Sequence, residues 1–234
     1  MSVTYQYSDG ISQVRFDDGK VNALSIDAFD QLNAALDHAE GDQATTIISG
    51  KDGMFSAGFH MGELAQSPEC TVRLMQAGAE FCTRLLRLPF PVIIACNGHA
   101  FPMGAFILLS SDFRLGVDGP FQIGLNEVRI NLTVPYFALE LARGRLHPAY
   151  FQRTVTTGEL FTPKQAVAAG FLDELVEEDR LLTVALEKAY SYRDIDFPHH
   201  AATKLRARFS WLQAIEEGMK KELTLDVARE ALTL

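Results

Sequence analysis

Apolar residues in the first two thirds of the chain follow a spacing typical of buried strands at several points. The segments Val3–Tyr7, Ile11–Phe16, Thr45–Ser49 and Val92–Cys96 are short and apolar or alternating, and turn residues flank them. Such runs predict β-strands. A further short run, Leu172–Val176, predicts a small strand later in the chain.

Helical spacing of apolar residues separates these strands. Ser25 is expected to cap a helix that extends to Ala39, and Pro68 is expected to begin a helix that extends to Leu86. Strands that alternate with helices are typical of an α/β core. Beyond Pro135 the pattern is mostly helical, with predicted helices over Tyr136–Leu146, His147–Thr157, Pro163–Ala169 and Leu181–Tyr192.

The last part of the chain is charged and amphipathic, and it predicts further helices from about Pro198 onward. We therefore divide the chain into a core of residues 1–195 and a C-terminal helical segment of residues 196–234, which we expect to take part in subunit assembly or to act as a lid. The pattern leaves open whether this segment covers its own core or packs on a neighbouring subunit.

Composition and charge exclude several classes of function. The 234 residues are 47% apolar and carry 21 basic and 30 acidic side chains, a formal net charge of −9 that argues against a nucleic-acid-binding face. Three cysteines without a CxxC pair indicate free thiols. The apolar stretch Val92–Leu109 is interrupted by polar residues, glycines and a proline, which indicates a buried core segment and not a membrane span. With no signal-peptide pattern at the N-terminus, we expect a soluble cytoplasmic protein without a membrane partner.

Two segments share one design, a buried strand followed by small residues and an expected helix start. Thr45–Ser49 leads into Phe55–His60, and Val92–Cys96 leads into Asn97–Phe106. Free backbone N–H groups at a helix N-terminus favour a developing negative charge, so two such turns facing each other would form an oxyanion hole. Glycine-rich turns between strands and helices are common, and the pattern alone does not choose between these interpretations.

A set of short motifs, taken in order from about residue 3 to residue 180, resembles the crotonase family, the enoyl-CoA hydratase/isomerase superfamily. The motifs lie at Gly19–Ser25, Phe55–Gly58, Asn97–Ala100, Asp112–Arg114, Gly124–Glu127, Pro135, Thr162–Ala166 and Ala169–Asp173. The resemblance implies a crotonase-like (ClpP/crotonase) spiral of ββα repeats, C-terminal helices, and assembly as a homotrimer or a dimer of trimers.

The resemblance also implies a substrate, an acyl-CoA thioester whose carbonyl oxygen binds between two backbone amides. By position these amides belong to Phe59 and Met103. It implies no cofactor, because coenzyme A is part of the substrate, and no metal. The positions that match substrate-contacting or CoA-contacting segments of the family are Lys20, Val21, Asn22, Ser56, Ala57, Gly58, His60, Gly104, Phe106 and Asn126.

Three departures from the family pattern bear on the reaction. The second oxyanion loop reads Pro102-Met103-Gly104 in place of the common triple glycine, and His60 replaces the usual aspartate. Family hydratases use two glutamates to hold the added water; Glu127 matches one of them, but Phe106 replaces the other. An isomerase needs only one carboxylate, which moves a proton from C2 to C4, and Glu127 could do this alone. The run Ile123–Glu127 followed by Pro135, together with the proline of the second oxyanion loop, resembles the Δ3,Δ2-enoyl-CoA isomerases.

The sequence therefore predicts an isomerase of fatty acid metabolism, with Glu127 as its base. An enoyl-CoA hydratase is the alternative within the class, and a CoA-binding relative without turnover is the alternative outside it. Adjacent His199 and His200 lack a third ligand nearby in sequence, and no G-x-S-x-G motif occurs, so a metal site and a serine hydrolase are disfavoured. The basic residues that would either contact CoA phosphates or form ordinary surface charge are Lys20, Lys51, Lys204, Arg206 and Arg208.

Overall fold

Short strands and longer helices alternate along the computed structural model, which describes the backbone of residues 2–231 and the side chains of residues 2–229. The strands are β1 (Ser2–Ser8), β2 (Ile11–Asp17), β3 (Ala23–Leu24), β4 (Thr45–Ser49), β5 (Gly53–Ser56), β6 (Gly58–Phe59), β7 (Val92–Cys96), β8 (Gly98–Ala100), β9 (Phe113–Val117), β10 (Ile123–Gly124), β11 (Leu160–Phe161) and β12 (Glu174–Val176). The helices are α1 (Ile26–Gly41), α2 (Met61–Leu64), α3 (Pro68–Arg87), α4 (Pro102–Leu109), α5 (Tyr136–Arg145), α6 (Pro148–Thr157), α7 (Pro163–Ala169), α8 (Leu181–Ser191), α9 (Phe197–Ala207), α10 (Phe209–Glu222) and α11 (Leu225–Ala231).

The main sheet has six strands in the order β1-β2-β4-β7-β9-β12. Strand β1 pairs antiparallel with β2, and every other neighbouring pair is parallel. All residues of β4 and β7 are buried, and β7 is apolar throughout, as expected of a strand in the middle of a parallel sheet. Strand β4 is also buried, although three of its five residues are Thr45, Thr46 and Ser49. This sheet forms one layer of the α/β fold.

A second sheet gives the fold its repeat. Its order is β11-β10-β8-β5, and β5, β8 and β10 run parallel. Each of these three strands follows a strand of the main sheet and precedes a helix, so the chain passes three times through a strand–strand–helix unit. This is the predicted spiral of ββα repeats, and the α/β fold class is confirmed.

The predicted elements of the main sheet and its helices are present with small shifts at their ends. Ser25 caps α1 by accepting a hydrogen bond from the backbone N–H of Ala28, and Pro68 is the first residue of α3. The expected small strand over Leu172–Val176 is shorter, at Glu174–Val176. The strands of the second sheet are two to four residues long, too short to show a periodicity in sequence.

The C-terminal helices pack on the chain's own core. Leu212 and Ile215 of α10 are buried in the main hydrophobic cluster, and Gly218 lies against the backbone of Phe137 in α5. The role of residues 196–234 in assembly or as a lid stays a prediction, and residues 232–234 lie outside the described residues. Within residues 2–231, no helix is long and apolar enough to cross a membrane.

Candidate active site

Three turns meet at one edge of the second sheet. Phe59, Met103 and Glu127 each lie three positions after the last residue of β5, β8 and β10 respectively. Because these strands are adjacent and parallel, their carboxyl ends lie at the same edge, and so do the turns that follow them. The fold therefore brings together the three residues predicted to be catalytic. The pattern of a strand, small residues and a helix start is visible in the sequence of the first two turns but not of the third, because β10 has only two residues.

The first two turns are in direct contact. Gly58 has a positive φ of +99°, and a Cβ built on it would lie 3.6 Å from the backbone N of Met103. The N–H of Phe101 donates a 2.9 Å hydrogen bond to the backbone oxygen of Ser56. A Cβ on Gly104 would lie 2.8 Å from the Cβ of Ser56, so a side chain there would force the turns apart. Glycine at 58 and 104 is thus required by conformation and close approach.

The amide of Met103 is one of the free donors at the start of α4. The preceding cap residue, Phe101, makes no side-chain capping hydrogen bond, and Pro102 occupies the first helical position. The first N–H groups of a helix have no partner within the helix, so the Met103 amide is available to an oxygen outside it. Although the Met103 side chain is fully buried, the donor is backbone, and the departure from the triple glycine leaves it in place.

Glu127 is a buried carboxylate without a hydrogen-bonding partner. Glu127 is the first residue of the short 3-10 helix Glu127–Ile130. It is 4% exposed, and neither of its carboxylate oxygens has a hydrogen-bonding partner among the described residues. Burial raises the pKa of Glu127 to about 7, well above the ordinary value for glutamate. A carboxyl group with such a pKa can both accept and return a proton near neutral pH. The side-chain oxygen of neighbouring Asn126 is also buried without a partner.

Several residues predicted to contact substrate hold the first turn in place. Asn22 has a positive φ of +52° and is fully buried, and its amide group donates to the backbone oxygens of Phe16 (3.0 Å) and Phe55 (3.2 Å). The Ser56 hydroxyl donates to the backbone oxygen of Asn22 (2.8 Å) and accepts from the N–H of Gly58 (3.1 Å). The side chains of Asn22 and Ser56 make their hydrogen bonds to backbone groups of the turn and its neighbours, so they hold the first turn in position and do not line the site.

The other predicted contact residues of the first turn are closer to solvent. Val21 is 47% exposed, and its backbone oxygen accepts from the N–H of Ala57 at 3.0 Å. Lys20 is exposed beside it, and its backbone oxygen accepts from the Lys51 ammonium at 2.8 Å. His60 is also exposed and caps α2, where its Nδ1 accepts from the N–H of Glu63.

Phe106 is a core residue of α4. It is 1% exposed, and its ring packs edge-on against Phe137 with a centroid distance of 6.2 Å. Glu63 and Glu140, two other acids that could supply the second carboxylate of a hydratase, are engaged elsewhere. Glu63 accepts a 3.0 Å hydrogen bond from the N–H of Ile26, and Glu140 pairs with Arg143 on α5.

Two of the basic residues considered for CoA phosphates instead form a buried cluster around Asp112. The Lys204 ammonium lies 2.7 Å from one Asp112 oxygen, and the Arg208 guanidinium lies 2.6 Å from the other. Burial contradicts both interpretations from sequence for Lys204, whose side chain is 3% exposed, and the surface-charge interpretation for Arg208, whose side chain is 12% exposed. A phosphate contact of Arg208 stays a prediction. In the described part of the chain no group of three or more metal-ligating side chains occurs, and His199 bonds to Asp196 at the start of α9.

Comparison with known proteins agrees with this geometry. The family model for enoyl-CoA hydratase/isomerase matches residues 6–224, so the chain belongs to the enoyl-CoA hydratase/isomerase family. It is 27% identical over 203 residues to human mitochondrial enoyl-CoA delta isomerase 1, covering 85% of this chain and 67% of that protein. The chain spans 61% of the length of the rat and mouse enzymes of the same name.

Solved structures of similar proteins cover nearly the whole chain. An enoyl-CoA hydratase/isomerase family protein from Pseudomonas syringae is 42% identical with a TM-score of 0.93, covering 94% of this chain and 96% of that chain. An enoyl-CoA hydratase from Mycobacterium ulcerans is 38% identical with a TM-score of 0.90, covering 98% and 99%. Relatives named for isomerisation and for hydration are thus both similar to this chain.

Proposed function

We propose that the protein is an enoyl-CoA isomerase that moves a double bond of an acyl-CoA thioester from the 3-position to the 2-position. The single observation that carries this proposal is Glu127, a buried carboxylate with both oxygens unpartnered, at the sheet edge shared with Phe59 and Met103. A base that must take a proton from carbon needs an oxygen that is not already engaged. The family relationship supports an acyl-CoA substrate.

The proposed reaction needs one base and one hole. Glu127 removes a proton from C2, and the electrons of that C–H bond form a dienolate whose negative charge rests on the thioester oxygen. The backbone N–H groups of Phe59 and Met103 stabilise that charge. Protonated Glu127 then returns the proton to C4, the thioester carbonyl re-forms, and the double bond lies between C2 and C3. Asn126 is proposed to orient the acyl group.

Hydration is the second candidate, because relatives named as hydratases are also similar to this chain. The reaction adds water across the double bond and needs a polar cradle for it opposite Glu127. Phe106 puts a buried phenyl ring at the position that matches the second glutamate, and Glu63 and Glu140 are occupied in other hydrogen bonds. These contacts favour isomerisation.

The remaining expectations stay part of the proposal. We propose a homotrimer or a dimer of trimers, a cytoplasmic location, a role in fatty acid metabolism such as β-oxidation, and no cofactor beyond the CoA of the substrate. The contacts of Lys20, Gly104 and His60 with substrate belong to the same proposal.

The wild-type ratio of two activities tests this function. We expect isomerisation of a short 3-enoyl-CoA to exceed hydration of the matching 2-enoyl-CoA by at least about tenfold, because an apolar wall at Phe106 excludes water. Both substrates are assayed side by side by absorbance and product chromatography. Rapid hydration without a double-bond shift would support the hydratase, and no turnover of either substrate would support a CoA-binding relative.

A further inference from the structure

A buried glycine in the middle of α3 packs against both residues of the proposed oxyanion hole. Gly78 is the eleventh of the 20 residues of α3, and it is buried. A Cβ built on it would lie 2.7 Å from two ring atoms of Phe59 and 2.9 Å from the Met103 sulfur. Ordinary carbon contacts are about 3.5–4.0 Å, so any side chain at this position would have to displace those groups.

The choice of glycine has a cost within the helix. Glycine in a helix interior is about 1 kcal/mol less favourable than alanine, and such a residue usually has a packing or functional reason. The neighbouring helical residues of α3 include Ala77 and Ala79, so a small side chain is tolerated on either side. The close approach at Gly78 is directed at the two residues that follow β5 and β8.

The displaced side chains are packed against other residues as well, Met103 completely and Phe59 in part. The Phe59 ring also packs edge-on against Phe29 of α1, with a centroid distance of 6.2 Å, and Phe29 packs against Phe81 of α3 at 5.7 Å. The Met103 side chain is 0% exposed. A shift of either side chain is therefore transmitted to its own backbone, which carries the amide.

We propose that Gly78 is a positioning residue that sets the spacing of the Phe59 and Met103 amides by letting α3 pack directly on both side chains. The inference rests on the proposed oxyanion hole and adds a residue to it from outside the two turns. A displacement of about 1 Å in such a site is enough to slow a reaction roughly 100-fold. Gly78 touches neither substrate nor reacting atoms and acts through Phe59 and Met103.

The test is the Gly78→Ala variant, read by kcat, KM and melting temperature. We expect kcat for 3-enoyl-CoA isomerisation to fall about 10- to 100-fold. We expect KM to stay within about threefold, since none of the residues predicted to contact the acyl-CoA is replaced. Gly144→Ala is the matched control, because Gly144 is also helical and its added Cβ would lie 2.2 Å from the Trp211 ring. The control is expected to change melting temperature and to leave kcat within about twofold.

Relief of the steric conflict provides the second arm. In a Phe59→Leu/Met103→Ala background, which removes the ring edge and the sulfur, Gly78→Ala is expected to lower kcat by less than about threefold. Three outcomes overturn the proposal: an equal loss of kcat in both backgrounds, an unchanged kcat for Gly78→Ala, or a Gly78→Ala protein that does not fold. The last outcome assigns Gly78 to folding alone.

A spectroscopic reading separates this inference from the proposed function. A saturated four-carbon acyl-CoA with ¹³C at the thioester carbonyl is bound to each variant, and the carbonyl stretching band is recorded by infrared difference spectroscopy. Hydrogen bonds from the hole shift this band to lower frequency, and Gly78→Ala is expected to remove about half of that shift or more. If wild type shows the shift without isomerising 3-enoyl-CoA, the proposed function fails and the band still decides the role of Gly78. A shift that is identical in both proteins contradicts the positioning role.

Discussion

The carboxylate of Glu127 is buried without a hydrogen bond. This environment costs the folded protein stability as pH rises, and it also makes Glu127 an effective base. Burial makes its charged form unfavourable and raises its pKa to about 7. The folded protein therefore keeps the proton up to about pH 7, whereas the unfolded chain releases it near the ordinary value for glutamate. Between these values the folded state binds more protons, so its stability falls as pH rises. The same raised pKa makes Glu127 an effective base near neutral pH.

Glu127→Gln separates these two effects. We expect turnover to fall about 10²- to 10⁴-fold with acyl-CoA binding nearly unchanged, because glutamine cannot accept the proton. We also expect wild type to lose about 3 kcal/mol of unfolding free energy between pH 4.5 and pH 7.5 that the variant retains, since a shift of this size is worth that much. Urea unfolding at several pH values measures the second quantity.

A surface glutamate serves as the control for this variant. Glu140→Gln changes a residue paired with Arg143 on α5 and is expected to alter neither turnover nor its pH dependence. Near-normal turnover in Glu127→Gln would remove Glu127 from the mechanism. A parallel loss of stability with rising pH in both proteins would instead assign that dependence to other groups.

At the scale of elements, the donors of the proposed hole are backbone N–H groups and not side-chain atoms. The turns after β5 and β8 lie against each other through Gly58 and Gly104, and α4 begins at the second turn. Proline lacks the N–H that the hole needs, whereas a change of side chain keeps it. Substitutions in the two turns should therefore differ according to what they do to the amide.

Phe59→Pro and Met103→Ala test this distinction. Phe59→Pro deletes one proposed donor and is expected to lower turnover about 10²-fold or more, while Met103→Ala is expected to stay within about tenfold of wild type. Circular dichroism and melting temperature establish that each variant is folded before kcat is compared. An active, folded Phe59→Pro protein would show that the first-turn amide is not a donor.

The sequence predicted the larger elements of this site better than the smaller ones. Long helices such as α3 and buried strands such as β4 and β7 have a periodicity or an apolar run that identifies them. The pairing of β8 with β10 depends on a single register contact, Ala100 with Ile123, and leaves no comparable pattern. The role of Gly78 was equally hidden, because a mid-helix glycine indicates close packing but not which residues it packs against.

Tertiary contacts also determine the environment of two basic residues and the packing of the C-terminal helices, which the charge pattern left open. From sequence alone, Lys204 and Arg208 are either phosphate contacts or ordinary surface charge, but in the structure both pair with Asp112. Asp112 follows α4 and precedes β9, far from both residues in sequence. Only the folded chain reveals that pairing, and with it the packing of α9 and α10 on their own core.

At the scale of the whole molecule, Asp112 joins three parts of the chain. Its carboxylate accepts from the N–H of Val92 at the start of β7 (2.8 Å) and pairs with Lys204 of α9 and with Arg208 at the start of α10. Burial acts to raise the pKa of Asp112, but the charges of Lys204 and Arg208 outweigh burial and hold that pKa below its ordinary value. Burial lowers the pKa of Lys204 to about 8, and the charge of neighbouring Arg208 acts in the same direction.

Because two cations share the single carboxylate of Asp112, we expect its removal to lower the unfolding free energy more than the removal of one cation does. Asp112→Ala leaves two buried cations unpaired and is expected to lower the unfolding free energy by about 3–5 kcal/mol. Lys204→Met keeps the pair between Asp112 and Arg208 and removes a cation that burial already disfavours, so its expected cost is below about 1.5 kcal/mol. Urea unfolding of both variants measures this difference in unfolding free energy. Asp52→Ala is the control, because Asp52 pairs with Arg15 at 3.5 Å on the surface. That pair is expected to contribute about 0.5 kcal/mol or less to the unfolding free energy. Equally small costs for Asp112→Ala and Lys204→Met would mean that the helices are held to the core by apolar packing alone, through residues such as Leu212 and Ile215, and equally large costs would contradict the expected difference between the two variants.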